Sequence, residues 1–66
     1  MTESEAISLF KCLADKSRLQ ILKSLAVEDM YVERLAERLG LTAPTISFHL
    51  KKLWDAGAVT SYKNQY

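Results

Sequence analysis

Gly40-Leu41-Thr42 joins two amphipathic segments with almost no chain between them, and this join constrains the fold more than any other feature. Upstream of it, Val32, Leu35, Ala36 and Leu39 recur at helical spacing. Gly40 then stands where the left-handed residue that closes a helix belongs. Thr42 offers the hydroxyl of a strong N-cap. Pro44 falls in the first turn of the next helix, where a missing N–H costs nothing. Two helices joined this closely cross steeply, which is the helix-turn-helix arrangement.

The second of these helices is predicted over residues 42–56, closed by Gly57. At about 100° per residue, Ile46, Leu50 and Leu53 fall on one face and point to a core. Pro44, Phe48, Lys51, Lys52 and Asp55 lie opposite, flanked by Thr45 and Ser47. A steep crossing props that second face outward, where it fits a DNA major groove about 12 Å wide. The hydroxyls of Thr45 and Ser47 suit base edges, and the Phe48 ring suits a thymine methyl. Lys51 and Lys52 suit phosphates, which set register without reading sequence. A solvated helix face carrying one stray phenylalanine would show the same pattern.

Upstream, Thr2 and Glu5 have the spacing of a capping box, so a first helix starts near Glu3 and carries Ala6, Ile7, Phe10, Leu13 and Ala14. Asp15 is the expected N-cap of a second helix. Its apolar set is Leu19, Leu22, Leu25 and Ala26, widened by Ile21, so burial is expected on more than one side. Val27–Tyr31 reads as a loop with a short extended piece, and Ala58–Tyr62 as a strand leading to a polar turn at Lys63.

In a chain of 66 residues such a domain buries only about 60% of its unfolded surface, so a partner subunit is a natural source of stability. A single cysteine, Cys12, excludes an internal disulfide, and Cys12 with His49 is too little for a structural zinc site. The chain has no apolar run of bilayer length and no basic leader ahead of an apolar stretch. A cytoplasmic setting follows, with no membrane association. Residues 1–40 carry six basic and seven acidic side chains, whereas residues 41–66 carry three lysines against Asp55. The C-terminal part is where a polyanion is tolerated. Asp15, Asp29, Glu33 and Asp55 occur singly, and no nucleophile has a His and acid partner, so no catalytic residues are expected.

Several runs resemble one family over nearly the whole chain. Leu13-Ala14-Asp15-Lys16-Ser17-Arg18-Leu19-Gln20-Ile21-Leu22 is similar to the "LADPTRLRIL" opening of the ArsR-type (arsenical-resistance repressor) regulators. Residues 35–42 are similar to "LAERLGLS", residues 47–53 to "SRHLKKL", and residues 55–59 to "EAGLV", the step into the wing. The resemblance implies a mainly α, winged helix-turn-helix fold of four helices and the start of a β-wing. It treats residues 1–66 as one domain cut within the wing. It also implies a homodimer, joined through the first helix and a further C-terminal segment, that represses transcription on double-stranded DNA. Thr42, Ala43, Thr45, Ser47, Phe48 and His49 then stand at the recognition end, with Lys51, Lys52 and Lys63 as phosphate contacts. Phe48 departs from the family, which often has arginine or another polar residue there, and Ala43 stands where glutamine is common.

The family's metal-sensing cysteine pair, in a motif like "ELCVCDL", would fall at Tyr31 and Glu33, so that metal box is missing and no cofactor is expected. Cys12 reads as a buried or half-buried side chain, the alternative being a redox switch, which needs exposure and a lowered pKa. His49 reads as a packing or DNA-proximal group, with a pH-sensitive or ligand role as the alternative. Ile7, Phe10, Cys12 and Leu13 are the candidates for the dimer interface. Two other functions stay open: a winged-helix protein-interaction or dimerisation module, and a regulatory domain of a larger protein.

Overall fold

The computed structural model describes residues 1–59. Within them the chain forms four helices: α1 (Glu3–Leu13), α2 (Lys16–Val27), α3 (Val32–Leu39) and α4 (Ala43–Asp55). There is no strand among the described residues. Residues 60–62 of the expected wing strand, and Lys63 with its turn, lie outside them.

Three of the four helices begin on a side-chain cap, and α3 begins at Tyr31 without one. Thr2 and Glu5 form the expected capping box: the Glu5 N–H donates to Thr2 Oγ1 at 3.0 Å and the Thr2 N–H to Glu5 Oε1 at 3.1 Å. Asp15 caps α2 by accepting from the Arg18 N–H at 2.9 Å. Thr42 caps α4 by accepting from the Thr45 N–H at 3.3 Å. Gly40 adopts φ 68° after α3, and Gly57 adopts φ 79° after α4. The Leu41 N–H then reaches back to the Ala36 carbonyl at 3.0 Å, and the Ala58 N–H to that of Leu53 at 2.9 Å. The same left-handed closure, which needs glycine to avoid a Cβ clash, therefore ends both helices of the motif.

The core gathers Ile21, Met30, Val32, Leu35, Ile46, Leu50 and Leu53, all buried. Ile46, Leu50 and Leu53 form the expected inner face of α4, and Val32 and Leu35 that of α3. Met30 is an addition. It sits in the α2–α3 loop, where no periodicity marks it, and fills the core from outside any helix.

Two helix faces differ from expectation. In α2 the buried line runs through Ile21 and Ser24, with Leu22 and Leu25 packed beside it, while Leu19 is 46% exposed. Leu19 and Ala26 lie roughly 140–160° around the helix from Ile21, on the solvent side. Apolar residues surround α2, so spacing alone did not choose between the lines. In α1 no residue is fully buried. Cys12 and Leu13 are half-buried and pack against the core of their own domain. Ile7 and Phe10 stay exposed, at 47% and 69%.

Candidate nucleic-acid interface

Among the described residues α3 and α4 make the most extensive helix pair, joined by the two residues Gly40 and Leu41 and the Thr42 cap. Leu41 packs against the core and holds the turn down. With Ile46, Leu50 and Leu53 buried, the opposite face of α4 is forced outward, and Pro44, Phe48, Lys51, Lys52 and Asp55 are all exposed on it. Thr45, Ser47 and His49 are half-buried at its margins.

The side chains on this face are already organised by one another. Thr42 Oγ1 donates to Thr45 Oγ1 at 2.9 Å while accepting from the Thr45 N–H, so both hydroxyls take part in the cap. Lys51 Nζ lies 3.2 Å from Asp55 Oδ2, one turn on. An exposed pair of this kind is worth only about 0.3–0.5 kcal/mol, so Lys51 remains available to a stronger anion. Lys52 Nζ sits 5.4 Å from the centroid of the Phe48 ring. The Phe48 and His49 rings meet edge to face, with centroids 5.4 Å apart at 69°. Ala43 is half-buried and packs against the core.

Arg18 contributes to this site from outside it, and sequence reasoning gave it no role. It reaches from α2 to three places at once. Its Nε donates to the Cys12 carbonyl at 2.6 Å, where α1 ends. Its guanidinium faces the Asp15 carboxylate at 3.8 Å and His49 Nδ1 at 3.4 Å. Arginine has no acceptor atom, so Nδ1 accepts and the ring hydrogen of neutral His49 belongs on Nε2. Cys12 adds a second tie, its thiol lying 3.6 Å from the Lys52 carbonyl. The ends of α1 and α2 are thus tied directly to the outward helix. The Asp15 carboxyl is held below its ordinary range chiefly by the Arg18 N–H that it accepts, which outweighs the opposing effect of desolvation, with the Arg18 charge adding a smaller lowering.

Among the described residues, no three His, Cys, Asp or Glu side chains are placed to hold a metal ion. No helix among them is long and apolar enough to cross a membrane.

Over residues 15–61 the sequence matches the model of the family described as bacterial regulatory protein, arsR family. The chain belongs to the arsR family. It is 49% identical over 58 residues to the HTH-type transcriptional regulator KmtR of Mycobacterium tuberculosis, an alignment that covers 88% of this chain and 45% of that protein. It is 38% identical over 64 residues to the arsenical resistance operon repressor of Staphylococcus xylosus, covering 97% of this chain and 62% of that repressor. An uncharacterized HTH-type transcriptional regulator of Methanocaldococcus jannaschii, MJ1325, is 42% identical over 60 residues. This arsR-family chain therefore spans 45% and 62% of the length of the first two relatives. No solved structure matches it. The runs over residues 35–42, 47–53 and 55–59 fall inside the family match, as does the first run from Asp15 onward, and they build the α2, α3 and α4 framework of the site.

Proposed function

We propose that this chain is the DNA-binding domain of a transcriptional regulator, a sequence-specific repressor acting as a homodimer on double-stranded DNA in the cytoplasm. The observation that carries the reading is the outward face of α4, which sets one aromatic ring, two lysines and flanking hydroxyls on a helix propped clear of the core. Relatives named as an HTH-type transcriptional regulator and an arsenical resistance operon repressor support it.

In this reading α4 lies in the major groove. Thr45, Ser47 and Phe48 face base edges, and Lys51 and Lys52 meet phosphates. Thr42 and Ala43 shape the helix start, and His49 holds α4 to Arg18 at the edge of the contact. In this reading a β-wing follows α4 and Lys63 meets the DNA backbone. Two copies join through Ile7 and Phe10 of α1 together with a further C-terminal segment, as the greater length of the relatives allows. Two-fold symmetry then calls for an inverted repeat with half-sites about 34–36 Å apart, or a multiple of that.

The test is selection from a random duplex library with the full-length protein, followed by titration of the enriched duplex at two salt concentrations. An enriched inverted repeat with steep salt dependence is expected. A folded protein that enriches no sequence contradicts the reading and favours a protein-interaction module, for which the small net charge of +1 is the supporting feature.

A further inference from the structure

We propose that Phe48 reads the C5 methyl group of a pyrimidine, so that the preferred DNA carries a thymine at one fixed position in each half-site. This rests on α4 being the major-groove helix and adds which base that helix seeks.

Phe48 is 56% exposed on the outward face of α4, beside Lys52. Two neighbours hold the ring in this position. Lys52 holds its ammonium 5.4 Å from the ring centroid, and the His49 ring abuts it edge to face. His49 is in turn held by Arg18 at 3.4 Å from Nδ1, and the guanidinium is anchored on the Cys12 carbonyl and Asp15. A chain of contacts from α2 therefore reaches the ring and favours its outward position before any ligand arrives, which lowers the ordering cost of binding.

A ring with no hydrogen-bonding atom discriminates by what it covers. Set against N7, O6, N4 or N6 of a base, it removes water from a polar atom and offers nothing in return. The major-groove edges of the unmodified bases carry one apolar group, the thymine C5 methyl. Phe48 therefore favours thymine by gaining apolar contact there and by penalising the alternatives. Lys52, standing beside the same ring, is placed for the phosphate next to that base.

The experiment uses the full-length protein and the duplex enriched from the random library. Each thymine is replaced in turn by deoxyuridine, which deletes only the methyl group, and binding is titrated. One thymine in each half-site is expected to lose about fourfold in affinity, the worth of one buried methyl. Phe48→Leu should keep part of that loss. Phe48→Arg should abolish it and move the preference at that position toward guanine, whose O6 and N7 suit a guanidinium. Equal binding of thymine and uracil duplexes at every position overturns the proposal. So does a uracil penalty that persists undiminished in Phe48→Arg, because another side chain then contacts the methyl. A folded protein that enriches no duplex removes the DNA-binding reading itself, and a failure of that kind is distinct from enrichment without methyl dependence.

Discussion

At the scale of single residues, Arg18 carries the most structural weight for its size. Its side chain is only 16% exposed, and its planar fork meets the Cys12 carbonyl, Asp15 and His49 together. Replacing it with alanine leaves the Cys12 carbonyl and His49 Nδ1 short of a donor, which should cost about 1–3 kcal/mol of stability in urea or thermal unfolding. Arg18→Lys should rescue little, because an ammonium cannot span three partners in one plane. This residue was legible as part of a family-like run but not in its role, since its partner His49 lies 31 positions away. Met30 was illegible for a related reason: a loop residue gives no periodic signal, and only the tertiary fold shows that it is buried. The capping carboxylates make a pH prediction. Glu5, through the Thr2 N–H, and Asp15, through the Arg18 N–H, both titrate below their ordinary range. Their contribution is present above the unfolded carboxylate values of about 4 and is lost as pH falls through the lowered folded values. The thermal midpoint should therefore drop between neutral pH and pH ~2, and Glu5→Gln with Asp15→Asn should flatten that dependence.

At the scale of elements, boundaries were read well because their causes are local. Thr2, Asp15, Gly40, Thr42 and Gly57 each act within four residues of their own position, so sequence spacing contains the whole interaction. Thr42→Ala should cost about 1 kcal/mol through the lost cap. Gly40→Ala should cost about 1–2 kcal/mol even though open space surrounds the added Cβ, because the strain comes from φ 68° and not from a neighbour. Urea unfolding of the two variants tests both figures. Helix faces were read less evenly. The inner face of α4 was correct because Ile46, Leu50 and Leu53 form one line, and Leu50→Ala, in the middle of that line, should cost about 2–5 kcal/mol. α2 was misread because apolar residues surround it, and which line is buried depends on how α3 and α4 dock.

At the scale of the whole molecule, the sequence foretold an α3–α4 pair with one exposed face, and the candidate site was legible to the extent that amphipathicity defines it. The organisation within that face was not legible. The Lys52–Phe48 and Lys51–Asp55 contacts pair side chains one turn apart, while the tie to α2 bridges distant segments. Residues 60–62 of the expected wing strand and Lys63 lie outside the described residues, so their part in binding rests on the proposed function. The salt dependence of DNA binding tests the central claim, that the outward face of α4 meets DNA, most directly. The measurement compares the full-length protein with its Lys52→Ala variant on the enriched duplex and on an unrelated duplex, across a salt series. Weaker binding to both duplexes, with the slope of log affinity against log salt reduced by about 1, is the expected result. Unchanged affinity and slope in Lys52→Ala, and likewise in Lys51→Ala, would contradict it and place the DNA on another face of the protein.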